Sequence, residues 1–236
     1  MKIFAKIRFY WGAFMISFIV AVIMIPLIML FPKNKGTIMH KLNRLIIFLM
    51  GGKLEQVGSF DADANLIVMN HQGIIDIVGM EALQNNHLRW VAKKELFDAL
   101  WFGNLLKKGD MISIDRDNKK GLLKLIKDVR ESIEVKGRAV AIFPEGTRAK
   151  DQALLPFKAG TKFIAKKLQM RVQPIIVTGS KELLNEHNKT GHNATVKYIF
   201  LEPFDVDEAS ENWFEELKER MQKSIDDELS NHNRSR

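Results

Sequence analysis

The sequence predicts an α/β fold, with a largely parallel central sheet flanked by helices and an N-terminal apolar helical segment that anchors the chain to a membrane. Two observations carry this prediction. Short apolar runs rich in β-branched residues alternate with amphipathic helical patterns, and 24 consecutive uncharged residues lie near the N-terminus. The chain has 236 residues, of which 46% are hydrophobic, so it can bury the core of one domain and carry a small appendage.

Six runs have the short, apolar composition of buried strands. They are Asn65–Met69, Arg89–Ala92, Met111–Ile114, Ala139–Phe143, Val172–Thr178 and Ala194–Leu201. Between them, Asn118–Lys136 repeats apolar residues at three- and four-residue steps, and Lys158–Leu168 and Ser210–Leu229 are similar. This alternation predicts helices that cover both faces of a mostly parallel sheet.

Residues 1–50 are expected to form membrane-anchoring helices and residues 51–236 the α/β domain, with the boundary near Gly51-Gly52. The first 50 residues carry seven Lys or Arg and no Asp or Glu. Such an excess of positive charge suits an anionic lipid surface better than nucleic acid.

The uncharged run Phe9–Pro32 is long enough to span a bilayer, which takes roughly 20 residues. Pro26 interrupts the run and positive residues flank both ends, which favours a segment that dips into one leaflet. A spanning helix and a buried soluble helix remain alternatives. A cleaved signal peptide is disfavoured because the run is long and no small-x-small cleavage site follows it.

The composition excludes several kinds of chemistry. The chain has no cysteine, which excludes a thiol nucleophile, a zinc-thiolate site and a disulfide-stapled scaffold. It also lacks the Gly-x-Ser-x-Gly sequence that presents a nucleophilic serine. His187 and His192 lie in a polar, loop-like segment without a third ligand, so we expect no metal there.

His71 and Asp76 directly follow the strand-like run Asn65–Met69, where α/β sheets gather functional groups. They can meet if His71 lies in the turn and Asp76 lies on the first helical turn. An aspartate bonded to one ring nitrogen fixes the imidazole tautomer and leaves the other nitrogen to accept a hydroxyl proton. The alternative is a polar turn with an aspartate that begins a helix.

The segment Phe143–Arg148 follows another strand-like run, so its polar groups are expected at the same edge of the sheet. Arg148 can bind a phosphate through two parallel hydrogen bonds. Gly146 lets backbone N–H groups point at oxygens, and Glu145 can accept from a substrate hydroxyl or hold the arginine. The alternative is a turn with a local Glu–Arg pair.

Two further segments give weaker signals. Gly109–Arg116 ends in Asp-Arg, which makes Arg116 a second candidate anion clamp or one partner of a strand-end salt bridge. Val172–Val177 contains Pro174, which indicates an edge, a bulge or a pocket wall when it occurs in a strand. Ordinary core is the alternative for this segment.

In order and spacing over residues 65–178, these segments resemble the four motifs of the glycerolipid acyltransferases, specifically the bacterial 1-acyl-glycerol-3-phosphate acyltransferases. His71-x4-Asp76 is similar to the Asn-His-x4-Asp motif, and Ile114–Arg116 to the second motif. Phe143–Arg148 matches the third motif in full, and Val172–Val177 matches the fourth loosely.

The resemblance implies transfer of a fatty acyl group from a thioester, acyl-CoA or acyl-acyl carrier protein, to the sn-2 hydroxyl of lysophosphatidic acid, giving phosphatidic acid. It implies that His71 is the general base and that Asp76 orients it. Residues implied to bind the substrate phosphate are Arg116, Glu145, Gly146, Thr147 and Arg148. Pro174 and Ile175 are implied to line the acyl or donor pocket.

The implied setting is the inner (cytoplasmic) membrane, with the catalytic domain facing the cytoplasm. Expected partners are a bilayer with anionic lipids, lysophosphatidic acid and the acyl donor, possibly acyl carrier protein, with no nucleic acid, metal or cofactor. Three alternatives remain: an acyltransferase acting on another lysophospholipid or amino-acid lyso-lipid, a thioester hydrolase, and a non-enzymatic lipid-binding protein.

Overall fold

The computed structural model of the protein describes residues 2–115 and 119–231. An N-terminal helical segment packs on an α/β domain. The helices are α1 (Lys2–Phe18), α2 (Ile25–Leu30), α3 (Lys35–Leu49), α4 (Ile74–Leu83), α5 (Leu100–Lys108), α6 (Lys119–Glu134), α7 (Ala159–Lys167), α8 (Ser180–Leu183) and α9 (Trp213–Asn231). The strands are β1 (Gly52–Val57), β2 (Leu66–Met69), β3 (Arg89–Lys93), β4 (Ile112–Ile114), β5 (Val140–Ile142), β6 (Arg171–Thr178), β7 (Leu184–Asn185), β8 (Thr190–Gly191), β9 (Ala194–Phe200) and β10 (Phe204–Asp205).

The central sheet has the order β1-β9-β6-β2-β5-β3-β4, and β10 pairs with the beginning of β6. The β1–β9, β2–β6, β2–β5, β3–β5 and β3–β4 ladders are parallel, whereas β6 pairs with β9 and β10 in antiparallel fashion. The prediction of a largely parallel sheet flanked by helices is therefore confirmed. The six expected strands correspond to β2, β3, β4, β5, β6 and β9, and the three helical patterns to α6, α7 and α9.

Strand β1 was not predicted. Its sequence, Gly-Lys-Leu-Glu-Gln-Val, lacks an apolar run. Among the described residues β1 is an edge strand whose partner is β9, and its second half is exposed. Edge strands bury little, so the apolar pattern on which strand prediction depends is weak there.

Two hydrophobic clusters fill the two faces of the sheet. On one face, side chains of α1, α3 and α4 pack with the sheet; examples are Ile16, Ile46 and Ile75. On the other face, α6, α7 and α9 contribute residues such as Leu125 and Met221. The N-terminal helices thus share a core with the sheet.

The N-terminal helices form an antiparallel arrangement. Helix α1 continues through a π-helical stretch, Ile19–Met24, into α2, and α3 packs back on both. Pro26, at the beginning of α2, has no N–H to donate to the preceding turn, and the π-helical stretch lies there. Between α3 and β1 the chain turns at Gly51, whose φ of 73° is one that glycine adopts readily.

Within the described residues, one helix, Lys2–Leu30, is long and apolar enough to cross a membrane by length and composition. Large apolar side chains on its outer face are exposed, whereas Ala5, Met15 and Ile16 face the core. The exposed residues along this helix are Ile3, Phe4, Ile7, Tyr10, Trp11, Phe14, Phe18, Val22, Met29 and Leu30. Only 28% of its most apolar stretch is buried inside the protein, and exposed apolar surfaces of this kind mark contacts with a membrane or with a partner.

Candidate active site

The structure brings His71 and Asp76 together at the carboxyl end of β2. Asp76 lies in the first turn of α4 and is fully buried, and its Oδ2 lies 2.9 Å from His71 Nδ1. The same oxygen accepts hydrogen bonds from the backbone N–H groups of Gln72 (2.6 Å) and Gly73 (2.9 Å). The turn therefore holds the carboxylate in place, and the carboxylate holds the imidazole.

The residues around His71 restrict its position further. Asn70, which is buried, donates to the carbonyl of Val177 in β6 (2.9 Å) and accepts from the Val177 N–H (2.7 Å). The His71 ring stacks on Phe143 with a centroid separation of 3.8 Å, and its carbonyl accepts from the Ala149 N–H at 2.8 Å. These contacts join the β2 loop to β6 and to the turn after β5.

Tyr198 of β9 holds the first turn of α4 against the sheet. Its hydroxyl lies 3.1 Å from the carbonyl of Ile75 and 3.0 Å from that of Asp76, to which it donates. Burial raises the pKa of Tyr198, so the hydroxyl keeps its proton. A Cβ at Gly79 would lie 2.2 Å from this hydroxyl, which means that the close approach requires glycine.

Glu145 makes contacts that differ from those expected of a phosphate-binding residue. It is buried, and its two oxygens accept from the backbone N–H groups of His71 (2.8 Å) and Leu155 (2.9 Å). Burial raises the pKa of Glu145 above its usual value. Because each oxygen accepts from a backbone N–H, Glu145 fixes the position of His71 in this structure, and its contact with substrate stays a prediction.

The rest of this turn faces solvent and the cavity. Gly146 has a φ of 72°, which glycine adopts without strain, and its N–H donates to the carbonyl of Phe143 at 3.0 Å. Thr147 and Arg148 are exposed. Arg116, the other expected phosphate ligand, lies outside the described residues.

Glu186 completes this group, although no sequence motif pointed to it. It follows β7, in a polar segment that reads as a solvated loop. Its Oε1 accepts from the Ile74 N–H at 2.9 Å, and its Oε2 forms an ion pair with Nη1 of Arg148. The role of Glu186 is visible only in the folded structure, because Ile74 and Arg148 are far from it in the sequence.

A cavity of about 1370 Å³ opens beside these groups. His71, Arg148 and Glu186 lie among its lining residues, with Gly146 and Thr147. Most of the remaining lining is apolar. It comes from α1 and the following π-helical stretch on one side and from α4, β3 and α5 on the other: Phe9, Ala13, Ile16, Val20, Ile77, Val78, Trp90, Phe102, Leu105 and Leu106.

Pro174 and Ile175 do not line this cavity. Both are buried in β6, where Pro174 pairs with Val68 of β2 and Ile175 pairs with Met69 of β2 and Phe200 of β9. Their placement fits the alternative of ordinary core, because β6 lies inside the sheet with strands on both sides, and a role in an acyl or donor pocket stays a prediction.

With this geometry established, comparison with known proteins identifies the family. Residues 53–178 match the family model described as Acyltransferase. The chain belongs to the acyltransferase family. It is 43% identical over 176 residues to the 1-acyl-sn-glycerol-3-phosphate acyltransferase of Helicobacter pylori, covering 74% of both chains. It is 29% identical over 189 residues to the Escherichia coli enzyme of the same name, covering 79% of this chain and 76% of that one.

A solved structure shows the same fold. The crystal structure of a 1-acyl-sn-glycerophosphate (LPA) acyltransferase from Thermotoga maritima has a TM-score of 0.79 and 19% sequence identity, covering 96% of this chain and 97% of that one. The match extends over the N-terminal helices as well as the sheet, since so much of each chain is covered.

Deep in the cavity of this acyltransferase lies a second polar group. Glu81 of α4 is buried, lines the cavity and accepts from Trp90 Nε1 at 2.7 Å. His40 of α3 contacts its carboxylate, with 3.2 Å between Nδ1 and Oε2. Burial by itself would lower the pKa of His40, but hydrogen bonding and charge interaction with Glu81 outweigh it, and the pKa is raised above 6.5. Nδ1 also lies 2.8 Å from the backbone carbonyl of Glu81, and the contact with the carboxylate is a buried ion pair between α3 and α4 when His40 is protonated.

His87 lies beside this pair, and His40, Glu81 and His87 offer ligand atoms within 4.8 Å of one another. Burial, together with the positive charges of Arg138 and Lys35, lowers the pKa of His87 to about 3. Both cations also form ion pairs with Asp110, and the low pKa keeps His87 uncharged.

Proposed function

We propose that this acyltransferase transfers a fatty acyl group from a thioester to the sn-2 hydroxyl of 1-acyl-sn-glycerol-3-phosphate, giving phosphatidic acid. One observation carries the proposal: the His71–Asp76 pair lies beside the turn that bears Arg148, at an apolar cavity. A base, an anion-binding group and a place for acyl chains are thus adjacent. The names of the relatives from H. pylori and E. coli support the same reaction.

The proposed chemistry begins at His71. Because Nδ1 donates to Asp76, Nε2 is the ring nitrogen that accepts the proton of the acceptor hydroxyl. The hydroxyl oxygen then attacks the thioester carbonyl, the C–S bond breaks, and the imidazolium returns its proton to the leaving thiolate. Asp76 stabilises the imidazolium between these two events.

Arg148 is proposed to bind the acceptor phosphate. Its guanidinium presents parallel N–H donors that match phosphate oxygens, and it lies at the cavity together with Gly146 and Thr147. Lys158 also lines the cavity and adds positive charge there. Arg116 is expected to contribute a second guanidinium from the segment after β4.

The apolar part of the cavity is proposed to hold acyl chains. Its walls combine the sheet domain with α1, whose opposite face exposes Phe14 and Phe18. We propose that this face is immersed in one leaflet of the inner membrane, with the sheet domain facing the cytoplasm. Positive residues flanking the helix, such as Lys2 and Lys6, suit anionic lipid headgroups.

The transfer is proposed to be direct. The chain has no cysteine and no serine elbow, so the acceptor attacks a bound acyl-CoA or acyl-acyl carrier protein in a ternary complex. The acyl thioester is a co-substrate, and the proposed reaction uses no further cofactor.

The decisive experiment is product analysis. Purified protein is incubated with a panel of lysolipids and both thioester donors, and the lipids are identified by mass spectrometry. Phosphatidic acid from 1-acyl-sn-glycerol-3-phosphate is the expected product. Preferred acylation of another lysolipid, or release of free fatty acid whether or not an acceptor is present, would contradict the proposal.

A further inference from the structure

Glu186 binds the same hydrogen-bond donors that the phosphate of an incoming substrate would bind. It extends from the loop between β7 and β8 toward the active site. One carboxylate oxygen accepts from the Ile74 N–H at the beginning of α4, and the other forms an ion pair with Arg148. Its side chain is 28% exposed, against 50% for Arg148, so this pair lies at the rim of the cavity.

The donors held by Glu186 are those that bind anions well. The N-terminus of a helix presents unpaired N–H groups and a partial positive charge to an anion, and a guanidinium adds a full positive charge. Ile74 and Arg148 supply both kinds of donor. A carboxylate is a weaker match for this pair than a phosphate monoester, which carries about −1.5 to −2 charges and three acceptor oxygens.

The loop that carries Glu186 is held by α1. Strands β7 and β8 form a two-stranded ribbon, and a Cβ at Gly191 would lie 3.2 Å from the backbone N of Phe9. Leu184 of the same ribbon lines the cavity. The ribbon thus packs against α1 and the cavity wall, and displacement of the Glu186 carboxylate requires only rotation of its side chain.

We propose that Glu186 is a resident anion that competes with the acceptor phosphate for Arg148 and the N-terminus of α4, and thereby sets the affinity for the acceptor. This inference rests on the proposed function. Binding of the acceptor displaces the carboxylate toward solvent, and its release returns the carboxylate to Arg148. The opposite role, in which Glu186 holds Arg148 in the orientation that the acceptor needs, predicts the opposite change in affinity.

The test compares the wild-type enzyme with Glu186→Gln. Glutamine keeps an oxygen that accepts from the Ile74 N–H but removes the negative charge that competes for Arg148. The KM for 1-acyl-sn-glycerol-3-phosphate is expected to fall about two- to fivefold, because the ion pair is partly exposed and screened by solvent. We expect kcat and the KM for the acyl donor to stay unchanged.

Inorganic phosphate provides a probe without an acyl chain. As a competitive inhibitor against the acceptor, it is expected to bind Glu186→Gln more tightly by the same factor. Glu182→Gln is the matched control, since Glu182 is exposed on the neighbouring helix α8; it removes the same charge and is expected to change neither constant. Melting temperatures of both variants verify that they are folded.

A higher or unchanged acceptor KM in folded Glu186→Gln would overturn the proposal, and so would an equal decrease in Glu182→Gln. These outcomes are distinct from failure of the proposed function. If the wild-type enzyme makes no phosphatidic acid in the same assay, the assigned reaction is wrong; if it does and only the variant behaves otherwise, the role of Glu186 is wrong.

Discussion

The N-terminal helices and the carboxyl edge of the sheet meet the same cavity with different kinds of surface. The helices offer apolar side chains on both faces: Phe9 and Ile16 toward the cavity, Phe14 and Phe18 outward. The sheet edge offers buried hydrogen bonds that fix His71. The difference indicates that the proposed membrane binding and the proposed chemistry depend on separate parts of the chain, and single substitutions test this separation.

The largest effect is expected at the sheet edge. His71→Ala should lower kcat by roughly 10²–10⁴-fold because the general base is lost, while melting temperature and vesicle binding stay near those of the wild type. His187→Ala, in the exposed loop after β7, is the control and should retain activity. Near-normal turnover in His71→Ala would show that the chemistry lies elsewhere.

Arg148→Ala should raise the KM for 1-acyl-sn-glycerol-3-phosphate by about tenfold or more, since charge-assisted hydrogen bonds to the phosphate are lost. The donor KM should not change. Steady-state kinetics with each substrate varied in turn checks this, and Lys150→Ala removes a nearby exposed positive charge for comparison. An acceptor KM that stays constant would remove Arg148 from the phosphate site.

A substitution in the N-terminal helices should instead weaken binding to vesicles. Phe48 of α3 is 76% exposed, and Phe48→Glu should weaken binding to vesicles containing phosphatidylglycerol by about tenfold, because burial of a phenyl ring in lipid is lost. Phe163 is also exposed but lies on α7, so Phe163→Glu should bind vesicles normally. Equal losses in the two variants would show that these helices are not a dedicated membrane face.

The smallest effect is expected at the junction of the two regions. Because Glu81 raises the pKa of His40, the ion pair contributes stability that is fully present below about pH 6.5 and is lost as the pH rises through the raised pKa. The melting temperature of wild type should therefore exceed that of His40→Gln by an amount, on the order of a few degrees, that decreases from acidic to alkaline pH. A pH-independent difference would contradict the charged pair.

The features that could be predicted from the sequence are those determined by residues close together in the chain. His71 and Asp76 are five positions apart, so their contact needs only a turn and the beginning of a helix. The buried strands β2, β5 and β6 have apolar runs that a local pattern detects. These features are determined by local geometry and by burial.

Other parts depend on contacts that no local pattern encodes. Glu145 comes directly after a strand, which is the position expected of a substrate ligand. In the structure, however, its two oxygens accept from the backbone N–H groups of His71 and Leu155. Glu186 reaches Ile74 across 112 positions. Pro174 reads as a pocket wall, yet the strand order places it between two neighbours.

One consequence follows from α1 having two apolar sides. The helix that exposes Phe14 on its outer side also forms a wall of the cavity through Ala13 and Ile16. Under the proposed function, an acyl chain would move sideways past this one helix between the bilayer and the cavity, so the enzyme would collect and return its lipids without carrying them through water.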